Sequence, residues 1–162
     1  RFLLSPIRRQ SVVLGFLLGF GVFAVIQSVL MVVFVKYALG LHFASSILPV
    51  LLVMVLLAFV AVALGSLVST FAENEFQVAQ FIPIIIVPQI FLSGMIPIDL
   101  IPFGLGNLAY VSPVYYACDA LDKLIIRGVG IVDILPQAAI LFGFIVLLFV
   151  GNTLLLKSFR SI

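Results

Sequence analysis

FLSGMIPIDLIPFGLGNLAYVSPVYYACDALDKLIIR, residues 91 to 127, is the stretch that decides how this chain folds. An apolar run stops at Ser93-Gly94, where glycine permits a sharp reversal. Pro97 and Pro102 follow and discourage continuous helix. A patch of Gly, Asn and Tyr comes next, then Ser112-Pro113 and a short charged segment. Leu100, Ile101, Phe103 and Leu105 still favour apolar surroundings. The stretch is too broken to span a bilayer and too apolar for a free loop. A dip into the outer leaflet is the expected outcome, as a re-entrant helical hairpin from Met95 to Arg127. Non-helical backbone at membrane depth is tolerated only where protein or a water-filled cavity covers it. The hairpin is therefore expected to pack against other helices, over a central path.

The rest of the chain supplies those helices. Of its 162 residues, 65% are hydrophobic and 9% charged, against about 25% charged in an average soluble domain. Mean hydropathy is +1.44. The uncharged runs are stronger evidence than the averages. Gln10 to Val35 is 26 residues without a formal charge, Tyr37 to Ala72 is 36 with His42 neutral, and Phe76 to Ile98 and Ile134 to Leu156 are 23 each. About 20 apolar residues suffice for a spanning helix. None of the runs alternates with period two, so they read as helices rather than strands. The expectation is an all-α polytopic transmembrane bundle forming one domain over 1–162. Its four spans fall at about 12–35, 47–71, 76–95 and 133–156. The uncharged run Leu100 to Cys118 is too rich in Pro, Gly and Asn to make a fifth.

Basic residues set the expected orientation. Arg1, Arg8 and Arg9 precede the first span, and Lys157 and Arg160 follow the last. With four spans both ends share one side, which collects five of the eight basic residues. The positive-inside rule makes that side cytoplasmic. Tyr37, Tyr110, Tyr115 and Tyr116 then all fall at the outer face, as an interfacial belt would.

Polar chemistry is sparse. Glu73 and Glu75 read as a solvated cytoplasmic turn in preference to an acid–base or cation site. Asp119, Asp122, Lys123 and Arg127 stand at spacings that let them pair along a short helix, for a few tenths of a kcal/mol each. Gln27 reads as a polar side chain in mid-span, either bonded to a neighbouring helix or lining the path. GFLLG places Gly15 and Gly19 four residues apart, and Ala61, Gly65 and Ser69 keep the same interval. Such stripes let helices approach closely in lipid, here chiefly within the chain. Pro83 and Pro88 favour a kink in the third span. His42 has no ligand set around it, and Cys118 has no disulfide partner. There is no catalytic, cofactor-binding or metal-binding residue to name.

Several functions are excluded or disfavoured by what the sequence lacks. It contains no GxxxxGK[ST] phosphate loop. No charged residue lies near the centre of a span, where a proton-coupled exporter needs one. Any uphill transport must draw its energy from a partner.

LLSPIRRQSVVLGFLLG at the N-terminus resembles the cytoplasmic loop and following helix of ABC-2 type permeases, the membrane subunits of ATP-driven exporters. FAENEFQVAQF, LSGMIPIDLIP and LAYVSPVYYACDALDKLIIRG are similar, in that order, to the later half of the same family. The resemblance implies a permease subunit that exports cargo, with ATP and Mg bound on a separate ATP-binding subunit and none bound directly here. It implies a homo- or heterodimer of permeases in the cell membrane, of bacterial type, with lipid around it and no nucleic acid. Because the chain begins at Arg1 without Met, its four spans are expected to be the third to sixth of a six-span protein. Leu4, Ser5, Pro6, Arg8 and Arg9 are the expected ATPase-docking element. Gly94, Pro97, Pro102, Phe103, Tyr110 and Pro113 are the expected external gate. The competing readings are a small proton-coupled multidrug exporter and a non-transporting membrane scaffold.

Overall fold

A continuous apolar chain with few breakers becomes helix almost wherever it is described. The computed structural model describes residues 9–72, 74–96 and 102–158. Those residues form an all-α bundle with no strand among them. Helix α1 is Arg9–Val33 and continues into a π-helical turn, Phe34–Ala38. The others are α2, Ile47–Phe71; α3, Glu75–Phe91; α4, Pro113–Ile125; and α5, Leu135–Ser158. A 3-10 segment, Pro102–Val111, leads into α4, and a 3-10 turn, Ile131–Ile134, leads into α5.

Three stretches are long and apolar enough to cross a membrane: Val13–Ala38, Ile47–Phe71 and Ile131–Leu155. The second coincides with the expected span. The third expected span, 76–95, is shorter than the sequence suggests. Helix α3 has 17 residues, about 26 Å of rise, against a hydrocarbon core of roughly 30 Å. The reason is local. The Leu92 N–H turns back to the Pro88 carbonyl at 2.9 Å, and the Ser93 hydroxyl donates to the Ile90 carbonyl at 2.7 Å. Gly94 then takes a φ of +85°, which only glycine adopts without strain. At its other end α3 is capped by Asn74, whose side chain accepts from the Gln77 N–H at 2.9 Å.

Helix α2 is the centre of the bundle. It packs along α1 on one side and α5 on the other, and α4 wedges against both α2 and α5. The shared core joins Val13 and Leu17 of α1, Val53 and Val60 of α2, Leu124 of α4, and Ile134 and Leu141 of α5. Helix α4 earns its place by pattern: Pro113, Ala117, Ala120 and Leu124 recur at helical spacing and are all buried. Its start also corrects an expectation. The charges that mark a short helix in the sequence begin only at Asp119, but the helix begins at Pro113, whose fixed φ suits a first helical position.

The other end of α4 is capped by a loop distant in sequence. The N–H groups of Ala44 and Ser45 donate to the Ile125 and Leu124 carbonyls, both at 3.1 Å, satisfying acceptors a helix end leaves open. Gly128 closes this contact. Its φ is +67°, and a Cβ there would sit 3.0 Å from that of Ala44. The α1–α2 loop, residues 92–96 and 102–112, and the α4–α5 turn therefore gather at one end of the bundle. Arg9, the Asn74 turn and Ser158 lie towards the other.

The glycine stripe behaves differently from its sequence reading. A Cβ added at Gly15, Gly19 or Gly65 would meet nothing within 4 Å. Within the described chain these small residues are not packing positions. The close approach is instead at Gly21, where the Phe59 ring would stand 2.5 Å from a Cβ.

Candidate functional site

Two regions carry the polar chemistry of this apolar chain. One is built on α4, and the other is the cleft between α1 and α2.

On α4, a single carboxylate oxygen acts as a hub. Asp119 Oδ2 accepts from Lys123 Nζ at 2.8 Å, one helical turn on. It also accepts from Gln137 Nε2 at 2.6 Å. Gln137 belongs to α5 and is buried, so this bond ties the wedge helix to a spanning helix. The Gln137 Oε1 atom has no partner. A second ion pair, Arg127 to Asp122, closes the helix at 3.0 Å. The four charges expected to pair along α4 do so. Gln137 was not anticipated, because a lone glutamine at the start of a long apolar run gives no pattern signal.

Around this hub lies a cavity of about 430 Å³, lined by Ser93, Gly94, Met95, Tyr115, Cys118, Asp119, Asp122 and Arg127. It joins the end of α3 to one face of α4. Tyr115 covers Gly94, with ring carbons 3.2 and 3.3 Å from where a Cβ would be. The phenol of Tyr115 is pushed above its ordinary pKa by burial first, then by the neighbouring Tyr110 and Asp119. Burial likewise raises the Cys118 thiol. Tyr110, Tyr115 and Tyr116 stack edge to face in sequence, with centroids 5.4 Å apart at each step. The Tyr116 hydroxyl donates to the Tyr110 carbonyl at 2.9 Å.

Of the expected gate residues, the structure brings Gly94, Tyr110 and Pro113 to this end of the bundle. Pro102 and Phe103 open the 3-10 segment, while Pro97 lies outside the described residues. The expected docking residues Leu4, Ser5, Pro6 and Arg8 also lie outside them, and Arg9 is the first residue of α1.

The α1–α2 cleft encloses about 400 Å³ between Phe20, Phe23, Gln27, Met31, Met54 and Leu57. Gln27 is exposed and also borders an apolar groove further along α1. Nearby, the buried Ser28 hydroxyl donates to the Ala24 carbonyl of its own helix at 2.8 Å and lies 3.4 Å from the Met54 carbonyl of α2. Asn152 was missed by sequence reading. It is 1% exposed and donates to the Ala63 carbonyl across the α2–α5 seam and to Leu148, both at 2.9 Å. Among the described residues no three His, Cys, Asp or Glu side chains converge as a metal site would require.

The geometry is that of a membrane bundle with one polar, proline-broken end and apolar clefts between helices. A model of the ABC-2 type transporter family matches residues 1–126. The chain belongs to that family. It is 25% identical over 162 residues to the linearmycin resistance permease protein LnrN of Bacillus subtilis, covering 99% of this chain and 41% of that one. It is 30% identical over 110 residues to the probable multidrug ABC transporter permease YbhS of Escherichia coli, covering 67% of this chain and 28% of that one. ABC transporter G family member 20 of Dictyostelium discoideum is 25% identical over 126 residues, 77% of this chain and 17% of its own. The chain thus spans less than half the length of each of these relatives. No solved structure matches it.

Proposed function

We propose that this chain is the membrane-embedded path of an ATP-driven exporter, with ATP bound and hydrolysed by a separate subunit. The family match over residues 1–126 carries the reading. The residues given hold no phosphate-binding loop and no ionisable group at mid-span, so the energy for transport comes in this reading from outside them. The cargo in this reading is an apolar or amphiphilic small molecule. The α1–α2 cleft is lined by aromatic, aliphatic and methionine side chains with Gln27 and Ser28 as its polar groups. Relatives named for linearmycin resistance and multidrug transport are consistent with that chemistry.

A second permease unit would complete the path. Gly15 and Gly19, with open space around them, supply a face on α1 where another helix backbone can approach. The termini are cytoplasmic in this proposal, and the α4 end faces outward. On a Cys118→Ser background, outside reagents modify a cysteine at Lys123 and spare one at Asn74. Labelling at Asn74 with Lys123 protected reverses the orientation.

Residues Leu4 to Arg9 dock the ATPase in this reading, and the segment from Gly94 to Pro113 closes the outer end. The deciding experiment uses the full-length protein. An ATP-binding subunit co-purifies with it in detergent, and Arg8→Glu with Arg9→Glu releases that subunit while membrane level and topology stay unchanged. Export that continues in cells lacking any ATP-binding partner would sink the proposal.

A further inference from the structure

Helix α3 is fastened at both ends and free in the middle. At its first turn three residues, 72–74, join it to α2, and the Asn74 side chain caps it through the Gln77 N–H at 2.9 Å. Just past its last turn the chain is anchored again. Ser93 is only 3% exposed, its hydroxyl donates to the Ile90 carbonyl, and Gly94 lies beneath the Tyr115 ring of α4. Between these two points no residue of α3 is buried.

The middle has somewhere to go. About 430 Å³ separates α3 from α2, and Ile82, Ile85, Ile86 and Gln89 line it from the α3 side. These four form one stripe along the helix at its 3.6-residue repeat. Ala61 and Gly65 line it from α2, and a Cβ at Gly65 would meet nothing within 4 Å. The two backbones therefore have room to approach. Ile82 and Ile86 are each 49% exposed, so the gap is open to its surroundings.

The prolines give the direction. Pro83 and Pro88 both lie off the gap-lining stripe. At about 100° per residue, each stands roughly 110° from the centre of that stripe, one on either side. A proline ring clashes with the carbonyl one turn back and opens the helix on its own side. Two openings on the flanks away from α2 bow the helix towards α2. In lipid, exchanging acyl chains for an equally apolar helix face gains or loses little. Straight and bowed forms therefore lie close in free energy.

We propose that α3 is a strap with two fixed ends, whose middle closes the gap against α2 by bending at Pro83 and Pro88. The Asn74 turn is one fixed point, and the Ser93–Gly94 turn under Tyr115 is the other. The motion makes no use of transport and holds whether or not the exporter reading does.

The test reads distances by pulsed electron spin resonance in the full-length protein, in phosphatidylcholine nanodiscs on a cysteine-free background. Labelled protein is diluted with unlabelled protein so that only pairs within one chain are read. One spin label sits at Val22 of α1 and the other at Ile84, Phe76 or Met95. All four positions are well exposed and none lines the gap, so the labels leave it free. Ile84 should give two distances, and Phe76 and Met95 one each. Pro83→Ala with Pro88→Ala should reduce the two Ile84 distances to one. Gly94→Ala, whose Cβ would stand 3.2 Å from the Tyr115 ring, should spread the Met95 distance. Gly40→Ala, also at positive φ but with nothing within 4 Å, should leave it narrow. A single narrow Ile84 distance without further substitution overturns the strap, a reading that needs no core variant to fold. Three equally broad distances overturn the fixed ends, and two Ile84 distances that survive removal of both prolines overturn the bending. A Met95 distance indifferent to Gly94→Ala overturns the anchor under Tyr115.

Discussion

Helices α3 and α4 leave the same proline-broken segment in opposite directions and end up in opposite circumstances. Helix α3 is the more apolar, yet none of its residues is buried, and it touches α2 and α4 only lightly. Helix α4 carries Asp119, Asp122 and Lys123, yet four of its residues are buried, and it is wedged between α2 and α5. In water the ranking would be the reverse. In lipid, apolar surface gains nothing by leaving the solvent, so hydrophobicity ceases to drive helix association. Close packing and hydrogen bonds decide instead. Helix α4 has small residues, Ala117 and Ala120, at its contact and a carboxylate tied to α5. Helix α3 has two prolines and β-branched side chains, and a gap of about 430 Å³ separates it from α2.

The sharpest way to break this comparison is to truncate one large side chain on each helix. Leu124 of α4 is wholly buried, so Leu124→Ala should destabilise by about 2–5 kcal/mol. Ile85 of α3 borders the gap, and Ile85→Ala should cost less than about 1.5 kcal/mol. Unfolding by SDS titration in mixed micelles reads both. Equal losses would mean that α3 is held as firmly as α4.

A smaller effect isolates the polar tie. Gln137→Ala removes a hydrogen bond to a charged group and should cost about 1–3 kcal/mol. In a double-mutant cycle with Asp119→Ala, the pair should couple by about 0.5–3 kcal/mol. Additive losses would show that α4 is held by packing alone and that the Asp119–Gln137 bond is incidental.

How legible this was from sequence follows the same physics. The second span, expected at about 47–71, coincides with α2, because the polar turn at Asn74 breaks the apolar run after it. The wedge helix is legible in type from its charges, which begin at Asp119, six residues after its start at Pro113. Its ion pairs at helical spacing were legible because charges in an apolar chain stand out. The buried faces of the spans were not. Exposed Leu18 and Val22 are as apolar as buried Leu17 and Val32, so no periodicity separates them. The glycine stripe misled for that reason: Gly15 and Gly19 lie opposite the packed face of α1, while Gly21 makes the contact. Gln137 and Asn152 were invisible as site residues. Each is a single uncharged polar group whose importance depends on a partner far along the chain.

The smallest effect concerns the prolines of α3. Pro83 and Pro88 lack the N–H groups that would reach the Ala79 and Ile84 carbonyls one turn back. In the interior of a soluble helix such a residue costs about 3 kcal/mol relative to Ala. Replacing both by alanine would then be strongly stabilising if α3 were integral to the folded unit. The loose attachment of α3 argues otherwise, because a helix contributing little to the global transition passes little of its own gain on to it. Pro83→Ala with Pro88→Ala should move the global unfolding free energy by no more than about 0.5 kcal/mol. Amide exchange within 83–91 should nonetheless slow, since two carbonyls acquire donors and two proline sites acquire exchangeable protons held by them. A global shift as large as that of Leu124→Ala would place α3 in the same cooperative unit as α4. Unchanged exchange on α3 would mean that the prolines are not what weakens it, leaving the gap beside α2 as the cause.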